Sequence, residues 1–167
     1  IEDGVSKSVG DIAHVFSEVG RLAAQLHNHA AGWQPPKNFV RHAWDTDGLT
    51  GAEPLWGRFW QFPDLNSGQR RLMERARDVA RRDLIAIGES GPNYGLIHAD
   101  FNFDNFILRD GQVTAIDFDD CGHGWHLFDL ATISILFLGT DQYDTVHRAV
   151  IEGYRRERAL SGDTLRQ

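Results

Sequence analysis

Seven aspartates fall between His98 and Asp129, at positions 100, 104, 110, 117, 119, 120 and 129, and Arg109 is the sole base among them. That segment carries a charge of −6, while the remainder, with 17 acids and 16 bases, carries −1. Like charges at this density repel in any compact arrangement, and a bound cation is the simplest way to hold several in one site. The candidate ligands are Asp and Asn rather than Cys, which points to a hard cation with oxygen ligands, Mg²⁺ or Mn²⁺. Asp110 and Asp104 are read instead as turn formers.

The periodicity around this segment predicts an α+β chain. Leu96 to His98 reads as the end of a strand. Phe106 to Leu108, the Asp110-Gly111 turn and Val113 to Phe118 read as a β-hairpin. On the amino-terminal side, Ile12, Val15, Phe16, Val19, Leu22 and Leu26 recur at helical steps, with Ser8 as cap. A second helix is expected after Ser67, through Leu72, Ala76, Val79, Ala80 and Ile87 to a stop at Gly88. Gly122-His123-Gly124 reads as a turn. A buried helix is expected on Leu127, Phe128, Ala131, Ile135 and Leu138, another on Val146, Ala149, Val150 and Tyr154, and a frayed tail from Ser161.

With 167 residues, 41% of them hydrophobic, there is enough chain for one core. A net charge of −7 argues against nucleic acid or an anionic membrane as partner. Cys121 is the single cysteine, no zinc spacing is present, and neither a membrane span nor a signal-peptide layout occurs, so a cytoplasmic location is expected. The chain starts at Ile1 and has one methionine, Met73, and two lysines, Lys7 and Lys37, which together read as a piece of a longer protein.

The Asp-rich segment also contains an ordered pattern. His98-Ala99-Asp100-Phe101-Asn102-Phe103-Asp104-Asn105 fits HxDxxxxN, the spacing of a kinase catalytic loop, and Ile116-Asp117-Phe118-Asp119 follows the hairpin where kinases place a magnesium-binding acid. With Phe128-Asp129-Leu130-Ala131 and the helix Val19 to His27, these residues make the chain resemble the aminoglycoside phosphotransferase and choline kinase-like superfamily, which includes type II homoserine kinases. The resemblance implies a protein-kinase-like fold of which this chain is the C-terminal lobe, mainly α-helical with a small β-hairpin. Residues 1–8 would be the remnant of a hinge from a missing N-terminal lobe and 9–167 the lobe itself, with a variable insert at 30–66 and a catalytic and metal-binding core at 94–131.

By that resemblance Asp100 is the catalytic aspartate, Asn105 and Asp117 are metal ligands, and Asp119 is an additional metal or phosphate-site acid. His98 and Asp129 would be structural supports, Asp129 bracing the loop backbone. ATP and Mg²⁺ (or Mn²⁺) are the implied cofactors and a small-molecule hydroxyl the implied acceptor, reached by in-line transfer of the γ-phosphoryl group. Ala99 departs from the Gly or Arg usual after the histidine, and 11 residues between Asp117 and Asp129 are too few to form a platform for a protein substrate. The phosphate-covering loop and its lysine are absent, so the chain alone is expected to be inactive. Two other readings compete: a metal-dependent hydrolase built on His98, Asp100, Asp117, Asp119, His123 and His126, and a non-catalytic kinase-like binding module. Trp33, Trp44, Trp56 and Trp60 of the insert are candidates to line an acceptor pocket.

Overall fold

In chain order the elements are α1 (Val9–Gly32), β1 (Ala43–Trp44), α2 (Thr46–Thr50), α3 (Ser67–Ile87), β2 (Tyr94–Ile97), β3 (Phe106–Arg109), β4 (Gln112–Ala115), β5 (Gly122–Trp125), α4 (His126–Ile135) and α5 (Tyr143–Arg155). This is an α+β arrangement with two small sheets, β1-β5-β2 and β3-β4. The computed structural model describes residues 9–109 and 111–160, so Ser8 as cap, the hinge at 1–8, Asp110 of the turn and the tail from Ser161 lie outside the described residues. No described helix is long and apolar enough to cross a membrane.

The core forms where α1 crosses α5. Phe16, Val19, Ala23 and Ala24 recur on one face of α1 and pack against Val146, Ala149, Val150 and Tyr154 of α5, with Phe101, Phe106, Leu130 and Ile133 closing the cluster. Two glycines make the approach close. A Cβ on Gly20 would lie 2.1 Å from the Val150 carbonyl oxygen, and one on Gly153 would lie 1.8 Å from that of Ser17. Substituents there would push the helices apart.

Three elements differ from the sequence reading. Gly122-His123-Gly124 is not a turn but most of β5, the central strand, parallel to β1 and antiparallel to β2. Its glycines serve close packing: a Cβ on Gly122 would meet the His42 carbonyl at 2.7 Å, and one on Gly124 the Ile97 side chain at 2.6 Å. On α4 the buried residues are His126, Asp129, Leu130, Ile133 and Ser134, whereas Ile135 and Leu138 are exposed. Of the expected positions, Leu127 and Phe128 pack against the core, and Ala131, Ile135 and Leu138 instead border an open cavity of about 690 Å³ between α4 and α5. Finally, α3 forms as expected, capped reciprocally by Asn66 and Gln69 and stopped at Gly88, but none of its residues is buried.

The hairpin holds its register, Phe106 opposite Ala115 through Arg109 opposite Gln112. The ladder ends at Ala115, with one more bond from the Ile116 amide to the Asn105 carbonyl, so Asp117 lies just beyond the strand. Alternation puts Phe106, Val113 and Ala115 on the core side and Ile107 and Thr114 on the other, with Ile116 exposed just past the last pair. Asp45 caps α2 by accepting from the Gly48 amide.

Candidate active site

Asp129 is 1% exposed, yet every bond it needs is present. Its Oδ2 accepts from the His98 amide and from His27 Nε2, both at 2.9 Å, and its Oδ1 accepts from the Ala99 amide at 2.8 Å. Three donors around one buried carboxylate offset its desolvation and fix the backbone that enters the loop. That backbone is strained: Ala99 has φ +70°, a left-handed conformation that a side chain adopts at a cost of roughly 1–2 kcal/mol. The next residue is Asp100.

Asp100 is held from two sides by amides. Its Oδ1 accepts from Asn102 Nδ2 and its Oδ2 from Asn105 Nδ2, each at 2.7 Å. Asn105 Nδ2 also donates to the Asp100 carbonyl at 2.7 Å. Both amide hydrogens of Asn105 therefore point at Asp100, which leaves its Oδ1 as a free acceptor. Asn102 caps the 3-10 turn Phe103–Asn105 through the Asp104 amide, so Asp104 contributes to the turn, as expected of it.

His98 joins this loop to the second acidic loop. Its ring donates from Nε2 to the Ile116 carbonyl at 2.9 Å and stacks on Phe101, with Phe118 tilted against it. Its Nδ1 has no partner among the described residues. Asp117 follows at φ +60°, with its Oδ1 3.5 Å from the Asp119 amide. Asp117 and Asp119 are exposed. The segment that leads into α2 grips this loop by its backbone: Arg41 donates to the Asp119 carbonyl, while His42 and Trp44 Nε1 donate to that of Asp120, at 3.0, 3.1 and 2.8 Å.

Asn105 Oδ1 and the Asp117 carboxylate offer oxygen atoms of the kind a hard cation takes, and the Asn105 amide hydrogens are already committed to Asp100. Among the described residues no group of three or more His, Cys, Asp or Glu side chains is arranged to hold a metal ion. The six residues of the hydrolase reading are correspondingly dispersed. His126 is buried and stacked on His27 with ring centroids 4.2 Å apart, and burial followed by the nearby His27 pulls its pKa down to about 3. His123 sits exposed on β5.

Of the four tryptophans expected to line an acceptor pocket, Trp44 and Trp60 are buried and Trp33 and Trp56 are exposed. Trp56 stands edge-on to Trp44, and Trp60 lies under Arg77. Sequence reasoning gives no part in the site to His27, Arg41, His42 or Tyr154, and reads Tyr154 only as a helix position in the core. His27 had one signal: it is a polar residue on the face of α1 otherwise filled by Val19, Ala23 and Ala24.

A model of a phosphotransferase enzyme family, APH, matches residues 3–161. Amicoumacin kinase of Bacillus subtilis (strain 168) is 30% identical over 133 residues, covering 78% of this chain and 37% of that protein. The solved structure of the microcompartment-associated aminopropanol kinase superposes with a TM-score of 0.82 at 33% identity, covering 98% of this chain and 50% of that one. An amicoumacin kinase solved in complex with AMP-PNP, Ca²⁺ and Ami shares the fold, with a TM-score of 0.67 at 22% identity over 89% of this chain and 45% of that one. The chain thus spans half or less of the length of these relatives.

Proposed function

The chain belongs to the APH phosphotransferase family, and from that premise we propose that it is the C-terminal catalytic lobe of an enzyme that moves the γ-phosphoryl group of ATP to the hydroxyl of a small amino alcohol. The observation that carries the reading is the placement of Asp100, held between Asn102 and Asn105 and tied through His98 to the loop of Asp117. A carboxylate fixed by two amide donors keeps lone pairs free on both oxygens, so it can orient the acceptor hydroxyl and take its proton. Asn105 Oδ1 and Asp117 would hold Mg²⁺, which supplies neutralisation of charge on the β- and γ-phosphates. Asp119 adds negative potential beside them.

His98 keeps the two loops in register, and Asp129 holds the backbone that presents Asp100. The outer face of the hairpin, with Ile107 and Ile116 exposed next to Asn105, offers an apolar floor for a nucleobase. An amino alcohol as acceptor is supported by the likeness to an aminopropanol kinase and by the −6 segment, which attracts a cationic ammonium. The phosphate-covering loop and lysine come from a further lobe, without which this chain does not turn over.

The test is calorimetric titration of Mg·ATP into the complete polypeptide and into its Asp117→Ala variant, followed by turnover with 1-amino-2-propanol. Magnesium-dependent binding that the variant loses is the expected result. Equal binding in both proteins sinks the reading.

A further inference from the structure

Asp129 is connected beyond the loop it braces. Its third donor, His27, is 1% exposed and reaches from α1, and the other ring nitrogen of His27 lies 2.9 Å from the Tyr154 hydroxyl of α5. Tyr154 is itself 0% exposed. A carboxylate only accepts, so Nε2 of His27 must carry the hydrogen that Asp129 Oδ2 receives. In the neutral ring Nδ1 is then an acceptor, and the Tyr154 O–H has no other acceptor among the described residues. Both hydrogens are used in this state alone. His126 stacks on the His27 ring with its own pKa pulled down by burial, and burial likewise raises the pKa of the Tyr154 phenol, so neither neighbour brings a charge to the His27 ring.

We propose that Tyr154 is a positioning residue of the phosphotransfer site: its hydroxyl donates to Nδ1 of the Nε2–H ring that Asp129 selects and so holds the His27 ring in place, and through Asp129 this holds the left-handed Ala99 and the aim of Asp100. The proposal rests on the phosphotransferase reading for its effect on turnover, while the tautomer can be measured with no turnover at all. Four elements contribute, α5, α1, α4 and the loop after β2, none of which carries Tyr154 and Asp100 together. A residue 54 positions away in sequence thus acts on the catalytic aspartate.

The experiment is ¹⁵N NMR of the complete enzyme labelled at histidine, with Tyr154→Phe, 3-fluorotyrosine at 154 and Val150→Ala compared. Expected are an Nε2–H ring for His27, an Nδ1 resonance that shifts when Tyr154→Phe removes its donor, and a kcat reduced about tenfold at little-changed KM for Mg·ATP. Fluorotyrosine preserves shape and strengthens the donor, so it shifts the His27 Nδ1 resonance. Val150→Ala removes carbon from the same helix and leaves tautomer and kcat alone. A wild-type His27 protonated on Nδ1, or no fluorotyrosine shift, overturns the proposal. So does Val150→Ala matching the kcat loss of Tyr154→Phe, which would make packing the cause.

Discussion

The Nε2 of His98 donates to the carbonyl of Ile116 across 2.9 Å, so the loop that presents Asp100 and the loop that presents Asp117 share a side-chain tie. The backbone adds a second, from the Ile116 amide to the Asn105 carbonyl. Two carboxylates that are 17 residues apart in sequence are therefore placed by one local framework. Their chemical roles nevertheless separate.

Asp100→Asn keeps the shape of the loop but removes the proton acceptor, so kcat should fall by about 10²–10⁴-fold while Mg·ATP binding persists. Asp117→Ala should instead abolish magnesium-dependent binding. Steady-state kinetics and calorimetry on the same preparations distinguish the two. Near wild-type turnover in either variant contradicts the assignment.

Trp44→Phe retains a buried ring but loses the donor to the Asp120 carbonyl. A missing bond of this kind is worth about 1 kcal/mol, or roughly fivefold in affinity if the loop relaxes. Weaker metal–nucleotide binding, with unchanged binding in Trp56→Phe, is the expected calorimetric result.

At the crossing of α1 and α5, Gly153→Ala inserts a methyl where 1.8 Å separates the Cβ position from the Ser17 carbonyl oxygen. Overpacking of this kind costs about 1–3 kcal/mol or more. Gly32→Ala, which meets nothing within 4 Å, is the matched control and should be neutral or slightly stabilising. Urea midpoints of the two variants give the comparison.

Stability should also depend on pH through His126, whose pKa falls from the ordinary 6.5 to about 3 in the fold, first by burial and then by the neighbouring His27. Between those values the unfolded chain binds a proton that the native protein does not. The contribution is complete above pH 6.5 and is lost as pH falls, at up to about 1.4 kcal/mol per unit. His126→Gln should flatten that part of the profile in denaturant titrations, and an unchanged slope would show that His126 is not its source.

The acidic loops were legible because their signals are local: the HxDxxxxN spacing and the hairpin lie within a single stretch of sequence. The strand β5 was not, since Gly122 and Gly124 look like turn formers until His42 and Ile97 are brought against them. On α4 the apolar pattern caught only part of the buried face: Leu127 and Phe128 pack against the core, but the most buried positions include Asp129, His126 and Ser134. A polar residue becomes a core residue only when partners from elsewhere satisfy it, and the three donors of Asp129 come from α1 and the loop after β2. The same distance hid His27 and Tyr154.

The pairing of β1 with β5 has an evolutionary consequence. Ala43 and Trp44 lie in the segment between α1 and α2, and they add a parallel edge to the strand that leads out of the acidic loop, while Arg41, His42 and Trp44 hold that loop's carbonyls. A lineage that exchanged this segment would also shift the geometry around Asp119 and Asp120. Segments that diversify freely between relatives should therefore begin after Trp44, and a graft that respects that boundary is the one expected to keep its chemistry.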